Sequence, residues 1–480
     1  MNIELLYRSL RIIYHAAPDV CTILAVRHAR RHLAPSTFAL LTIAHPSLRQ
    51  IRTATADLPL TRHPPSATLP PGKDPPAMMF PRDLASSIRE CSGTFPALLV
   101  TGPRQVGKST LLESAAEPSR RIVTLDDPAV RRLAREDPAF FFQTYRPPLL
   151  IDEIQYAPQL FPHVKMICDR ERRNGLFWMT GSQQFDMMRN VSESLAGRVA
   201  VLDLLGLSGS EIARRPRTGT FLDRLLAPGA PAADPPASPA DTFRRILRGS
   251  YPALWANPRL DAVRFFDSYV RTYLERDLRQ LLAVEKESEF LAFLRVAAAR
   301  TGQMLNFADL ARDAGVSPNT AKDWLSVLRA SGLVYLLRPY SRNLTSRAVK
   351  TPKLYFTDTG LACRLVGWTS PQTLMDGAFA GAILETHAVT EILKSFLHLG
   401  REAPLWFFRD RDGREIDLLI EAGDRLHPVE IKKKATPTLS DCAAFSAIPP
   451  ERRGTGAVLC FSETRTPLAR DIRVFHFSDL

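Results

Sequence analysis

Gly102-Pro103-Arg104-Gln105-Val106-Gly107-Lys108-Ser109-Thr110 is the stretch on which the fold turns. Two glycines with four residues between them, followed by lysine and serine, let consecutive backbone N–H groups wrap a phosphate, because glycine accepts the dihedrals and the close approach. An apolar run, residues 97–100, precedes this loop, and a helix is expected to begin at Gly107. Strand, loop and helix stand in the required order, with the helix N-terminus aimed at the anion. In ATP bound this way, Lys108 lies between the β- and γ-phosphates and the Ser109 hydroxyl is one ligand of Mg²⁺. Thr110 supports the α-phosphate side.

Working outward, Pro148-Leu149-Leu150-Ile151 is an apolar run ending in Asp152-Glu153. A buried parallel strand delivers carboxylates in this way at its C-terminal end. Asp152 is expected to hold the magnesium shell, and Glu153 to orient or deprotonate the attacking water. A further strand, residues 176–179, ends in Thr180-Gly181-Ser182-Gln183 at the same sheet edge. A γ-phosphate sensor belongs there, with Gln183 or Ser182 in that role and a plain polar turn as the alternative. Arg198, beside a glycine, is the candidate arginine finger for a neighbouring copy in a homo-oligomer; an ordinary surface arginine is the alternative. These elements predict a doubly wound α/β sheet.

The chain has 480 residues, enough for about three domains. Its 45% hydrophobic and 24% charged residues are those of a folded globular protein. Lys plus Arg exceed Asp plus Glu by 13, which suits a polyanionic partner such as DNA or RNA, or else a diffuse arginine-rich surface. The six cysteines are scattered and suggest neither disulfides nor zinc. No apolar stretch is long enough to span a membrane, so a cytoplasmic protein is expected.

Residues 1–77 lack a sustained period, carry nine basic against four acidic side chains and end in a proline-rich run. They read as a disordered tail, with translation expected to start at Met78 or Met79. Residues 78–215 read as the nucleotide-binding domain, 216–241 as a proline-rich linker, and 242–286 as a helical segment.

Residues 287–365 read as winged-helix-like. One helix, residues 307–314, breaks at Gly315, and Ser317 caps a second beginning at Pro318. Residues 333–337 and 354–356 are the wing strands, with Arg338, Arg342, Arg347, Lys350 and Lys353 around their loop as phosphate-binding candidates. In 366–480, residues 413–420 and 426–432 form a hairpin around Gly423-Asp424. Pairing 422 with 425 sets Asp417 opposite Glu430, where two carboxylates about 4.5–5.5 Å apart repel unless a cation lies between them. Lys432 shares the face of Glu430. Asp417 and Glu430 as magnesium ligands, Lys432 as a cation beside an attacked phosphate, and Glu385 from the preceding helix resemble the PD-(D/E)XK nuclease constellation.

The stretches VTGPRQVGKSTLL, LDDPAVRRLAREDP, LLIDEIQYAP, MTGSQQF, SESLAGRVAVLDLLGLS, YVRTYLERDLRQL, YFTDTGLA, GREIDLLI and VEIK together resemble prokaryotic AAA+ ATPases in which a C-terminal domain of unassigned function follows the AAA module. The resemblance runs from about residue 80 to the C-terminus. It implies ATP binding and Mg²⁺-dependent hydrolysis. Two uses of that cycle are expected: coupling to nucleic-acid binding or cleavage, or a regulatory switch whose C-terminal modules bind partners without catalysis.

Overall fold

Besides the strands within residues 2–43, the computed structural model describes residues 80–480 apart from 182–193, 216, 218, 228–235, 274–286, 341–350 and 411–412. The chain divides into two units, Met1–Lys73 and Asp74–Leu480. In the first, β1 (Asn2–Tyr7), β2 (Leu10–Ala16), β3 (Cys21–His28) and β4 (Thr42–Ile43) form an antiparallel sheet in chain order. Tyr7 pairs with Leu10. These strands fall within residues 1–77, which the sequence reads as a tail. β-Branched and aromatic residues in these segments suit a pleated backbone even without strict alternation, and antiparallel partners need only short links.

In the second unit, α1 (Leu84–Thr94) leads into β5 (Ala97–Thr101), buried at all five positions. A strand covered on both faces reads as a continuous apolar run, which is why this one was visible in the sequence. Then come α2 (Lys108–Ala115), β6 (Arg121–Thr124), α3 (Pro128–Glu136), α4 (Pro138–Thr144) and β7 (Leu149–Asp152). The side chains of Asp127 and Asp137 cap α3 and α4, each just ahead of a proline suited to a first helical turn. After α5 (Leu160–Glu171), β8 (Phe177–Gly181) and β9 (Val199–Asp203) complete a parallel sheet of order β6-β7-β8-β5-β9. β5 lies between β8 and β9, so the topology switches there, and the crevice at the strands' C-terminal ends is where ligands bind in such sheets.

Five helices follow: α6 (Gly209–Ile212), α7 (Phe221–Leu226), α8 (Pro239–Arg248), α9 (Pro252–Ala256) and α10 (Ala262–Tyr273). α7 falls inside the stretch expected to be linker, started by a capping box between Thr220 and Asp223. Next are α11 (Glu287–Ala299), β10 (Gln303–Met304), α12 (Phe307–Ala314), α13 (Pro318–Ala330), β11 (Val334–Pro339) and β12 (Lys353–Phe356). Asn306 and Ser317 cap α12 and α13, with Gly315 left-handed between them at φ 71°. Phe290 and Phe293 of α11 meet the Trp324 ring edge-on and lock α11 to α13.

The remainder comprises α14 (Thr359–Val366), α15 (Pro371–Asp376), α16 (Ala380–Leu397) and β13 (Leu405–Arg409), then β14 (Glu415–Ala422), β15 (Arg425–Ile431), β16 (Gly456–Cys460) and β17 (Ile472–His476). They join the middle strands in one mixed sheet, β10-β12-β11-β13-β14-β15-β16-β17. The seam is a parallel pairing of Arg338 with Trp406 and of Pro339 with Phe407. One buried apolar cluster runs from Leu98 through Phe290 and Trp324 to Leu384 and Leu418, so the parallel sheet and the mixed sheet share a core. Among the described residues, no helix is long and apolar enough to cross a membrane.

Candidate functional site

Gly102 opens the loop at φ 141°, and a Cβ there would stand 2.0 Å from the Leu204 carbonyl oxygen. Only glycine allows that approach of two backbones. Gly107, at φ 92°, is the N-cap of α2. Arg82 braces the loop from behind: Nη1 donates to the Val106 carbonyl at 2.7 Å, Nη2 to Leu205 at 2.8 Å, and Nε to Glu211 Oε1 at 3.0 Å. The Lys108 ammonium, 5% exposed, bonds the carbonyls of Gly102 (3.0 Å) and Pro103 (2.8 Å), which fixes it inside the curve of the loop.

Two oxygen groups meet at the end of β7. Ser109 Oγ donates to Asp152 Oδ1 at 2.5 Å, and Thr180 Oγ1, arriving on β8, donates to the same oxygen at 2.6 Å. Thr180 also accepts the Glu153 N–H at 2.9 Å. Glu153 has left-handed backbone at φ 57°, a conformation costly for a side chain with a Cβ and found where function demands it. Its carboxylate bonds Gln155 Nε2. Burial, and then the charge of Asp152, raise the nearby Glu113 carboxyl. An all-oxygen donor set of this kind is one that a hard divalent cation such as Mg²⁺ accepts.

The adjoining cavity, of about 520 Å³, is lined by loop residues from Arg104 to Thr110, by Glu153, and by Pro252, Tyr269 and Thr272 of the helical segment. Those last three, with Arg82, were not singled out in the sequence, and Thr180 was placed at this sheet edge without a role of its own. The loop, the β7 carboxylates and the polar end of β8 had a local signal. Ser182 and Gln183 lie outside the described residues. Arg198 is not part of the cavity; its guanidinium grips Asp169 through Nε at 2.5 Å and Nη2 at 3.2 Å.

A second polar cluster lies between α16, β12 and the β14–β15 hairpin. The hairpin turns at Gly423-Asp424, and Ala422 pairs with Arg425 and Leu418 with Val429, the register read from the sequence. The Ile431 N–H donates to Asp417 Oδ2 at 2.9 Å, and Lys432 Nζ to Glu430 Oε1 at 2.5 Å. Glu430 Oε2 is buried and without a hydrogen-bond partner among the described residues. Burial, reinforced by the Asp417 charge, holds Glu385 and Glu430 above the usual carboxylate range, and burial raises Asp417 as well.

Lys353 requires a correction. Expected on the wing loop, it is 3% exposed, and its ammonium bonds Glu385 Oε1 at 2.9 Å and Glu415 Oε1 at 2.5 Å. The cause is topological: β12 runs between β10 and β11, so a side chain on its inner face meets α16 rather than solvent. Tyr355, two residues on along the same face, donates its hydroxyl to Glu385 Oε1 at 2.6 Å. Among the described residues, no three His, Cys, Asp or Glu side chains are arranged to hold a metal ion. In the expected set of Asp417, Glu430 and Glu385, one oxygen of each carboxylate is already held, Glu385 Oε1 by Lys353 and Tyr355, Asp417 Oδ2 by the Ile431 amide and Glu430 Oε1 by Lys432. Of the other basic wing candidates, Arg342, Arg347 and Lys350 lie outside the described residues, and Arg338 is on β11.

A cavity of about 1080 Å³ opens between the start of α12 and strands β11, β13 and β14; Phe307, Tyr340 and Phe408 and the guanidinium-bearing Arg409, Arg414 and Arg452 are among its lining.

Residues 94–213 match the family of the AAA domain. Residues 240–372 and 380–480 match two domains of unknown function, DUF8612 and DUF4143. The chain is 31% identical over 360 residues to the uncharacterized protein Rv2008c of Mycobacterium tuberculosis, and equally so to Mb2031c of Mycobacterium bovis, spanning 75% of itself and 75% of each relative. Among solved structures, it is similar to a Walker-type ATPase of Pyrococcus abyssi at TM-score 0.37 and 14% identity, over 59% of this chain and 94% of that one. It is also similar to a DNA replication initiation factor at TM-score 0.22 and 10% identity, over 52% and 90%. With its phosphate-binding loop and parallel sheet, residues 94–213 are an AAA-type nucleotide-binding ATPase module. The chain belongs to the family of the two mycobacterial proteins.

Proposed function

We propose that the protein hydrolyses ATP with Mg²⁺ and uses the cycle to govern what its C-terminal modules bind. The observation that carries this reading is the meeting of Ser109, Thr180 and Asp152 within 2.6 Å at the mouth of the Lys108 loop, with Glu153 next in the chain. In this reading the amides of Gly102 to Thr110 hold the triphosphate, and Lys108 leaves its two carbonyl partners to balance charge on the transferring phosphoryl group. Ser109 and Asp152 would hold Mg²⁺, which would supply positive charge to the phosphate oxygens when bound. Glu153 takes the proton of an in-line water, and Gln183 or Ser182 senses the γ-phosphate. Arg198 acts on a neighbouring copy after leaving Asp169, a pair exposed enough to part at little cost.

For the C-terminal half, the order α11-β10-α12-α13-β11-β12 supports a winged-helix reading, and α16 with the β13–β15 strands supports a nuclease-like fold. The aromatic and arginine lining of the large cavity suits a single-stranded nucleic acid, which binds by base stacking and phosphate contact. Lys353 in the carboxylate cluster favours binding without cutting.

Glu153→Gln is expected to keep ATP affinity and lose hydrolysis, and Lys108→Ala to lose both. Wild-type turnover is expected to change on adding single-stranded DNA or RNA, with the strands left intact. Folded protein that fails to bind ATP in magnesium buffer ends the proposal. An Arg198→Ala protein whose turnover is not restored by mixing with Glu153→Gln protein removes the finger in trans.

A further inference from the structure

We infer that Lys353 is the resident cation of the C-terminal carboxylate cluster, an ammonium supplied by the chain that keeps a divalent metal ion out. This rests on the reading that the C-terminal half binds without cutting, and it specifies why.

Four carboxylates, Glu385, Glu415, Asp417 and Glu430, come together from α16, β14 and β15, with two ammonium groups among them. Lys432 is the nearer to solvent: its side chain is 37% exposed, and it serves Glu430. Lys353 is different in kind. Its side chain is 3% exposed, its Nζ bridges carboxylates on two separate elements, and it lies 5.5 Å from the centre of the Phe407 ring. A lysine buried so deeply persists only when paired, and here the pairing is the inside of the cluster itself. Glu385 Oε1 accepts from both Lys353 and Tyr355, so a metal ion bound through that oxygen would have to displace two donors. Such an ion would also face the ammonium across a site screened from water, where like charges repel far more strongly than in solvent.

The same cation explains how the hairpin tolerates Asp417 opposite Glu430. Coulombic attraction to Lys353 acts on Asp417 directly, and to Lys432 on both carboxylates. The cation reaches the cluster from β12, a strand of the middle segment, so the terminal sheet is complete only with that segment docked.

The test uses the full-length, nucleotide-free protein and Mn²⁺ as probe, read by electron paramagnetic resonance and by calorimetry. Wild type is expected to show no Mn²⁺ binding that depends on Asp417, judged against Asp417→Asn. Lys353→Met is expected to gain such a site, with affinity at least tenfold above wild type, and to be raised in melting temperature by Mn²⁺ while wild type is not. Should Lys353→Met fail to fold, the paired change Lys353→Met with Glu415→Gln removes one charge of each sign and takes its place. Asp417-dependent Mn²⁺ binding by wild type overturns the inference, and so does the absence of a gained site in the folded variant. Binding by wild type without strand cleavage sinks this inference alone; Mg²⁺-dependent cleavage sinks binding without cutting as well.

Discussion

The turn at Gly332 offers a direct test of whether the middle segment shapes the nucleotide loop. Gly332 follows α13 at φ 71°, and a Cβ there would lie 2.9 Å from Pro103 Cδ and 3.1 Å from its Cγ. The turn cannot retreat easily: the Thr357 hydroxyl donates to the Gly332 carbonyl at 2.7 Å, and the Leu333 N–H to Leu328 at 3.0 Å. In Gly332→Ala it is therefore Pro103 that must move, by roughly 0.6 Å to reach an ordinary carbon–carbon contact of about 3.5 Å. Pro103 carries one of the two carbonyls that seat Lys108. A misplacement of about 1 Å can cost on the order of a hundredfold in rate, so about tenfold in kcat/KM for ATP is expected here. The substitution also costs about 1–2 kcal/mol for placing a Cβ in left-handed backbone. Gly315→Ala supplies the control, since Gly315 has the same φ of 71° with nothing within 4 Å of its Cβ position. Urea unfolding and steady-state ATPase assays on both variants separate the two effects. Similar stability losses are expected, with a rate loss in Gly332→Ala alone. Equal turnover in the two variants would refute a mechanical link from this turn to the loop.

Two further outcomes concern the buried network that fastens α16 to the segment after β9. Glu391, 3% exposed, accepts the Gly209 N–H at 2.8 Å and Lys394 Nζ at 2.9 Å; Glu391→Ala strands a buried lysine and is expected to cost about 3–5 kcal/mol by urea unfolding, and a loss under about 1 kcal/mol would contradict this account. Burial pushes the His387 imidazole down to about 3, so it stays neutral in the fold while the unfolded chain takes up a proton below about pH 6.5. Its contribution to stability is thus present above that pH and lost as pH falls toward 3, with a limiting slope of about 1.4 kcal/mol per pH unit. The comparison to make is wild type minus His387→Gln between pH 7.5 and 5, which cancels the opposite trend of the raised Glu385 and Glu430 carboxyls. An unchanged difference across that range would exclude a neutral buried imidazole.

Where interactions are short in sequence, reading residues in order was enough. Gly102 and Gly107 announce the loop because only glycine takes those dihedrals, and the apolar runs of β5 and β7 announce a sheet covered on both faces. The Gly423-Asp424 turn likewise set the register that brings Asp417 toward Glu430, since hairpin pairing is counted outward from the turn. The α/β class, the loop and the β7 carboxylates were therefore all accessible from local pattern alone.

Long-range pairing settled the rest. Thr180 was one polar residue in a turn until β8 took its place beside β7, and Arg82 had no signal before the chain returned to place Val106 and Leu205 around its guanidinium. The strands of residues 2–43 and helix α7 were missed because weak alternation and a proline-rich flank hide segments whose partners and caps decide them. Lys353 is the sharpest case. A lysine between two strands of a basic stretch reads as surface, because ammonium groups are nearly always solvated. Only the docking of β12 against α16 and β14 gathers enough opposing charge, from residues remote in the chain, to hold it inside. Dihedral preference and apolar period belong to neighbouring residues and are written in their order, whereas the compensation of a buried charge exists only once distant elements have met.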